Sequence, residues 1–441
     1  MMNPELRRNL WLEITPHRLL AMPAVLVLAF LALSAIDRDT AMATVSMTAL
    51  GGFGLLTILW GTRLAANSVM DEMIDKTWDW QRLSILTPWE MTWGKLFGAT
   101  AFAWYGGLVC MAVFLSLSHA TPVTSPVKTA LTAILLAVML HSAAIASALH
   151  MSRKGGAQHR RSAGFLVLIA VLYIVPYTLS RGWESKLPVK WFGIDFDSGS
   201  FILASAAVFA VWAVAGAWRA MCQALAVRTT PAMWAAFLVF VSIYAAGFAI
   251  GEAKISLAQA ILFSGLVWSV GLTYVMLFTE PTGPLVVRRV MRKTDLGQWH
   301  RAAEEMPCWP VTLAIAALCA VPLAALNAGS SWMPTGWAMA PIPLVLMLAR
   351  DAGILMFFLA APKPKRAEGT TLVYIVVLDW ILPGVLHAMN LDVLARLILP
   401  LGEGNTWLQI AVALIQAAVV WWFAWQRINE RISSTRAADG G

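Results

Sequence analysis

Five ionisable side chains fall within long apolar runs of the sequence, where charge is costly. His141 lies midway along one run, and Asp379 lies midway along another, with His387 two helical turns beyond it. Arg350 and Asp351 interrupt a third run. Because ionisable groups at bilayer depth commonly line substrate or proton pathways, these residues are candidate intramembrane polar sites.

Structural interpretations of the same positions stay open. A buried histidine commonly bonds to a neighbouring backbone carbonyl group, and His141 fits that description. Arg350 and Asp351 could instead mark the cytoplasmic end of a short span, with residues 352–361 as an interfacial helix. The sequence alone does not choose between these interpretations and a polar pathway.

The apolar runs identify the class of protein. Of 441 residues, 59% are hydrophobic and 13% are charged, whereas roughly a quarter of the residues in soluble proteins are charged. Stretches of about 20 apolar residues recur, as transmembrane helices require, and they lack the alternation of β-barrel strands. The sequence therefore predicts an all-α polytopic membrane protein with no soluble domain.

The order of the spans suggests two tandem halves of six. A Thr-Pro pair precedes the first span and another precedes the seventh, and the longest loops follow spans two and eight. We expect an interfacial amphipathic helix at 1–18, a first half at 19–225 and a second half at 226–441. The expected spans are 19–36, 42–66, 95–117, 128–149, 162–180, 200–218, 232–250, 255–278, 310–327, 335–357, 370–389 and 406–427.

The distribution of Lys and Arg orients this layout. If the N-terminus is inside the cell, most of the basic residues between spans lie in cytoplasmic segments. Both termini are therefore expected to be cytoplasmic. The net charge of +8 reflects this topology, and no nucleic-acid partner is expected because the chain has no compact basic domain.

A polar, tryptophan-rich stretch at residues 71–95 separates the second and third spans. Met70, Met73, Ile74 and Trp78 recur at helical spacing, while the acidic residues point elsewhere. This pattern predicts a helix lying at the membrane face and able to press on a soluble partner. We call residues 71–95 the coupling loop.

The coupling loop resembles the signature of type-2 ATP-binding-cassette (ABC) exporter permeases. In that family an acidic segment, a Leu-rich turn, a Thr-Pro break, a further acidic position and a Gly-Lys pair lead into the third span. Two positions depart from the pattern, since Lys76 replaces a glycine and Ile74 replaces an acidic residue. The matching residues are Glu72, Thr77, Leu83, Thr87, Pro88, Glu90, Gly94 and Lys95.

The resemblance implies a non-catalytic permease subunit of an exporter, with two copies of a separate ATPase subunit as partner and the substrate unidentified. ATP and Mg would lie on that partner. Membrane lipids and other transporter subunits are further candidate partners, and the bacterial cytoplasmic (inner) membrane is the expected location. The candidate ATPase-coupling residues are Glu72, Asp75, Thr77, Trp78, Trp80, Leu83, Pro88 and Glu90, with Arg292 and Trp299 in the second-half loop 280–309.

Motifs for chemistry on this chain itself are missing from the sequence. Gly94-Lys95 is followed by Leu96 and lacks the upstream glycine of a P-loop. The chain has no H-E-x-x-H or G-x-S-x-G motif, and its four cysteines lack metal-ligand spacing. We therefore expect no catalytic, cofactor-binding or metal-binding residues.

Two other functions stay open. A twelve-span secondary transporter would also have six plus six spans, although its long loop usually joins the halves, and here that connection is only residues 219–231. A membrane-embedded lipid-modifying enzyme needs a catalytic cluster at one interface, and His119, His150 and His159 form none by spacing. ATP dependence separates the permease from the secondary transporter, and product formation would establish the enzyme.

Overall fold

The computed structural model describes residues 3–36, 40–120, 123–153, 188–250, 255–280, 282–327, 340–361, 366–401 and 405–439. Within these residues the chain is helical apart from turns and one two-stranded sheet. The expected fifth span, 162–180, lies outside the described residues.

The chain divides into two compact units. Unit 1 consists of Met1–Val189 and Asp195–Thr229, and unit 2 consists of Lys190–Ile194 and Thr230–Gly441. The sequence places the boundary between its two expected halves between residues 225 and 226.

Unit 1 contains long helices with several short helices at one end. The chain begins with α1 (Pro4–Glu13) and α2 (Pro16–Ile36). The next span is a continuous rod made of α3 (Ala41–Phe53), a π-helical turn (Gly54–Trp60) and α4 (Gly61–Ile74). The following elements are α5 (Trp78–Arg82), α6 (Pro88–Trp93), a π-helical turn (Gly94–Gly98), α7 (Ala101–Ser116), α8 (Pro126–Arg153) and α9 (Ser198–Ala224). The hairpin strands β1 (Val189–Trp191) and β2 (Ile194–Phe196) precede α9 in the chain, and residues Lys190–Ile194 of this hairpin belong to unit 2.

Unit 2 also combines long apolar helices with short amphipathic ones. Its elements are α10 (Ala232–Ala249), α11 (Leu257–Thr279), α12 (Pro284–Asp295), α13 (Trp299–Glu305), α14 (Cys308–Asn327), α15 (Pro341–Leu359), α16 (Ala367–Val376), a π-helical turn (Val377–Ile381), α17 (Leu382–Ala388), α18 (Asp392–Ile398) and α19 (Thr406–Asp439). The π-helical turn joins α16 and α17 into one span, Ala367–Ala388.

The described helices establish a multi-pass membrane protein. Ten of them are long and apolar enough to cross a membrane. The pair Pro88–Gly98 and Ala101–Ser116, bent by 50°, makes eleven if it counts as one span. The total of twelve and the cytoplasmic location of both termini stay predictions.

Small residues allow the helices to pack closely within each unit. In unit 1, Ala49 and Ala133 lie in a buried cluster with Phe53 and Phe114. In unit 2, α14 contributes two buried alanines that pack beside Leu266 of α11. Association in lipid depends on such close van der Waals contact, since no hydrophobic force drives the helices together.

Two glycines let α1 lie directly on the π-helical turn of the third span. A Cβ atom at Gly94 would lie 2.4 Å from Glu5 Cγ and 3.0 Å from the backbone nitrogen of Leu6. A Cβ atom at Gly98 would lie 2.8 Å from Asn9 Cβ. Any side chain at either position would therefore displace α1.

We expect Gly94→Ala to destabilise unit 1 by about 1–3 kcal/mol, as overpacking typically does. Chemical denaturation in mixed micelles and limited proteolysis at the N-terminus would measure the loss and the release of α1. The matched control is Gly51→Ala in α3, where a Cβ atom meets nothing within 4 Å. Equal stability of the two variants would contradict the close packing of α1.

Candidate coupling loop and intramembrane cluster

The coupling loop lies at the end of a helix too long for the membrane. The 34-residue rod Ala41–Ile74 is about 51 Å long, whereas the hydrocarbon core is about 30 Å thick. Arg63 is exposed on this rod, and long basic side chains extend to the edge of the apolar layer. Ile74 lies about 16 Å beyond Arg63 along the helix axis. We therefore expect the loop to begin outside the hydrocarbon.

The helix predicted from the spacing of Met70, Met73, Ile74 and Trp78 is interrupted in the structure. The rod ends at Ile74, and Lys76 takes a positive φ of 57°, which a right-handed helix does not allow. Two short helices, α5 and α6, follow. α6 begins with a capping box, in which the Glu90 backbone N–H donates to the Thr87 hydroxyl (3.2 Å) and the Thr87 N–H donates to the Glu90 carboxylate (2.8 Å). Pro88, at the first helical position, completes this start signal.

Glu72 joins four elements of unit 1. Its Oε1 accepts hydrogen bonds from Gln81 Nε2 on α5 (2.6 Å) and from Arg8 Nη2 on α1 (2.8 Å). Its Oε2 accepts a hydrogen bond from Lys95 Nζ in the π-helical turn. The Thr77 hydroxyl donates to the Glu72 carbonyl oxygen (3.1 Å). A displacement of α5 must therefore move α1, α4 and the start of the third span together.

Lys95 is the buried centre of this arrangement. Its side chain is 1% exposed, and its Nζ also donates to the carbonyl oxygen of Ser68 (3.1 Å). Glu5 of α1, equally buried, lies 3.9 Å from Nζ and accepts a hydrogen bond from Arg8 (2.9 Å). The Trp78 ring lies 5.7 Å from the ammonium group. We call Glu5, Arg8, Glu72, Gln81 and Lys95 the Glu72 network; its two acids and two bases balance in charge.

The outer side of the loop is apolar and exposed. Trp80 is 77% exposed, Leu83 is 82% exposed, and Ile85 is fully exposed. These three residues form the apolar tip of the loop. Trp78 differs from the sequence expectation, because it packs in the core of unit 1. It cannot serve as an anchor for a partner without leaving that core.

The other candidate residues of the loop have local structural roles. Asp75 is exposed at the C-cap of α4, and Thr77 is exposed at the N-cap of α5. Pro88 and Glu90 are half-buried at the start of α6. The Asn3 side chain donates to the Glu90 carbonyl oxygen (2.7 Å), so α1 also holds this helix start in place.

The second-half loop 280–309 forms α12 and α13. Both of its candidate residues, Arg292 and Trp299, are exposed. Glu305 of α13 forms ion pairs with Lys293 and Arg289 of α12 (3.5 Å for Arg289), which fix the two helices to each other. This loop exposes basic side chains and also the apolar side chains of Leu285, Leu296 and Trp299.

No protein-family model, curated protein or solved structure matches the chain.

Arg350 and Asp351 lie in the middle of α15. α15 continues through them to Leu359 as one apolar helix of span length, which favours a position inside the span over the alternative that they end a short span. Residues 352–356 are buried rather than interfacial. Arg350 and Asp351 can be buried inside this helix because they pair with each other and Arg350 bonds to Asp379 and Gln416 on neighbouring elements.

Arg350 organises a buried polar cluster in unit 2. Its Nε and Nη2 donate to Asp351 Oδ1 (3.0 and 2.8 Å), and Nη2 also donates to Asp379. Its Nη1 donates to Gln416 Oε1 of α19 (2.9 Å). The Tyr274 hydroxyl of α11 donates to Asp351 Oδ2 (2.5 Å). These five residues, from four helical segments, are the intramembrane cluster.

The cluster also binds the carboxyl end of α18. Gln416 Nε2 donates to the carbonyl oxygens of Leu397 (2.5 Å) and Ile398 (3.2 Å). Arg350 Nη1 lies 3.5 Å from the same Ile398 oxygen. Terminal carbonyls of a helix lack partners within the helix and carry partial negative charge, so the guanidinium and amide groups stabilise them.

The two histidines lie apart from this cluster. His141 is fully buried in unit 1, where its Nε2 bonds to the Thr57 carbonyl oxygen (2.8 Å) in the π-helical turn Gly54–Trp60. Gly61 provides the space, since a Cβ atom there would lie 2.6 Å from Nε2. His141 therefore bonds to a backbone carbonyl group, as the structural interpretation of this residue predicts. His387 is exposed and pairs with Asp392 (2.6 Å).

Several residues of both sites were not predicted from the sequence. Tyr274 and Gln416 are polar groups inside apolar runs, and that signal could have identified them. Glu5 and Asn9 are spaced to share one face of α1, which marks the face that contacts the third span. Among the described residues, no group of three or more His, Cys, Asp or Glu side chains is placed to bind a metal ion.

Proposed function

We propose that the chain is the membrane permease subunit of an ABC exporter, driven by ATP hydrolysed on a separate subunit. The observation that carries this proposal is the exposure of Trp80, Leu83 and Ile85, the apolar tip, on a short helical loop. The length of the preceding rod supports a position of this tip outside the hydrocarbon. Contiguous exposed apolar groups mark interaction sites. Tryptophan is the residue type most enriched among the anchors of protein interfaces.

The Glu72 network supports a mechanical role for the loop. Gln81 joins α5 to Glu72 of α4, and Glu72 in turn bonds to Arg8 of α1 and to Lys95 at the start of the third span. A partner that binds the apolar tip and then closes would move these elements as one body. Rigid transmission of this kind converts a local push into movement of whole spans.

The proposal predicts that Trp80→Ala together with Leu83→Ala strongly reduces co-purification of the ATPase subunit. Loss of two anchors of about 2 kcal/mol each should weaken binding by far more than tenfold. The fold should be kept, because both side chains are exposed. Pull-down from mild detergent with quantification of the bound ATPase measures the effect.

A matched pair of exposed residues provides the control. Trp407 and Leu408, 80% and 61% exposed at the start of α19, should tolerate the same two alanine substitutions without loss of the ATPase. If Trp80→Ala/Leu83→Ala binds as much ATPase as this control, the coupling loop is not the docking site.

The intramembrane cluster favours a second candidate, a secondary transporter. Buried charges at this depth are the groups that couple ion movement to transport in such proteins. Transport by the purified chain alone in proteoliposomes, driven by an ion gradient without ATP, would favour this candidate over the ABC permease.

A further inference from the structure

The two carboxylates of the intramembrane cluster differ in how many of their oxygens accept hydrogen bonds. Both oxygens of Asp351 accept hydrogen bonds, Oδ1 from Arg350 and Oδ2 from Tyr274. Asp379 accepts a hydrogen bond from Arg350 at Oδ1 only. Within the described part of the chain, its Oδ2 accepts no hydrogen bond. The Asp379 side chain is 13% exposed, whereas that of Asp351 is 0% exposed.

The charges of the cluster do not balance. One guanidinium group faces two carboxylates, while Tyr274 and Gln416 contribute hydrogen bonds but no charge. If both carboxylates were ionised, the cluster would carry one net negative charge midway along apolar helices. An uncompensated charge at that depth is strongly unfavourable. Among the described residues Arg350 is the one cation that contacts these carboxylates, so a bound positive charge would restore the balance.

We propose that the Asp351–Asp379 pair holds one exchangeable proton, carried on Oδ2 of Asp379. The proton comes from water and converts one carboxylate to a carboxylic acid, and no electron transfer is involved. With it bound, Arg350 and one carboxylate remain as a neutral ion pair. Asp379 lies in the π-helical turn Val377–Ile381, a geometry enriched at functional sites.

A proton fits this site better than a metal ion. Hard cations require several oxygen ligands, whereas Asp379 offers one unoccupied oxygen. The Arg350 guanidinium, bonded to the other oxygen, would also repel a metal ion. Within the described ranges, the titratable or charged groups facing Asp379 are Arg350 and Asp351 of α15 and, beyond them, Tyr274 of α11.

The proton has a consequence for the carboxyl end of α18. The N–H groups of Arg350 donate hydrogen bonds to the two carboxylates, to Gln416 and to the Ile398 carbonyl oxygen. Release of the proton leaves a full negative charge on Asp379, which competes more strongly for the guanidinium group. The contact between Arg350 and α18 would then weaken, so protonation is linked to how α18 is held.

Thermal denaturation of the purified full chain across pH tests the proposal. Stability falls with rising pH wherever the folded state binds more protons than the unfolded state, so we expect the wild-type midpoint to fall as the pH rises above about 4, the ordinary pKa of an aspartic acid. Asp379→Asn mimics the protonated acid and should remove most of this fall. The exposed Asp295→Asn in α12 is the control and should follow the wild type.

Equal pH slopes for wild type and Asp379→Asn would overturn the proposal, as would a slope that sodium ions abolish. Infrared spectroscopy of the wild type provides a test that does not depend on a variant folding. We expect a carboxylic-acid carbonyl band that shrinks as pH rises and is kept in Asp295→Asn. A wild-type spectrum without such a titrating band would overturn the proposal. Both experiments use this chain alone, so their outcome is independent of the ATPase proposal.

Discussion

Replacement of Lys95 by methionine is expected to destabilise unit 1 by about 3–5 kcal/mol, the usual cost of removing one partner from a buried ion pair. The Lys95 side chain is 1% exposed, and it compensates the carboxylates of Glu72 and Glu5. Arg8 would be left facing both acids alone. Chemical denaturation in mixed micelles would measure the loss.

Lys76→Met is the matched control, because Lys76 lies in the same loop and is exposed. It should change stability by no more than about 0.5 kcal/mol. Adding Glu72→Gln to Lys95→Met should recover part of the loss, since the double variant removes an unpaired charge. If Lys95→Met and Lys76→Met are equally stable, the Glu72 network does not hold the loop to the spans.

Replacement of Arg350 by methionine should destabilise unit 2 at least as much, by about 3–5 kcal/mol or more. Two carboxylates would lose their shared cation, and the Gln416 amide and the Ile398 carbonyl oxygen would lose a donor. Arg350→Lys should rescue little, because one ammonium group cannot reproduce the geometry of the guanidinium fork. Yield of folded protein and the denaturation midpoint measure both variants.

The exposed Arg366, at the start of α16, provides the control. Arg366→Met should leave the midpoint nearly unchanged. Adding Asp379→Asn to Arg350→Met should be less damaging than Arg350→Met alone, since it removes one of the two unpaired carboxylates. Equal midpoints for Arg350→Met and Arg366→Met would show that the intramembrane cluster does not stabilise the unit.

The membrane-spanning helices could be predicted from the sequence because their signal is local. Apolar length places each span, and the Thr87-Pro88 start with Glu90 marks the beginning of α6. The end of the helix that contains the second span was not predicted correctly. The rod continues to Ile74, past the expected end at residue 66, because helical hydrogen bonding continues without regard to the edge of the apolar layer.

The pairing of charges could not be predicted, because it depends on contacts between residues distant in sequence. Lys95 looks like the polar start of a span, yet α1 covers it after folding onto Gly94. Trp78 looks like an interfacial anchor, yet it is buried beside Lys95. In the sequence, Arg350 could mark the end of a span. In the structure it lies inside a helix and bonds to Asp379 and Gln416. Composition alone does not reveal such tertiary partners.

Affinity purification of the chain from native membranes in mild detergent, followed by mass determination of the intact complex, tests the central claim most directly. The permease proposal, with both six-span halves on one chain, predicts two ATPase subunits per chain. One ATPase subunit per chain would contradict that arrangement and would instead indicate a dimer of this protein. Recovery of the chain without any ATPase, in every preparation, would contradict the proposed function itself.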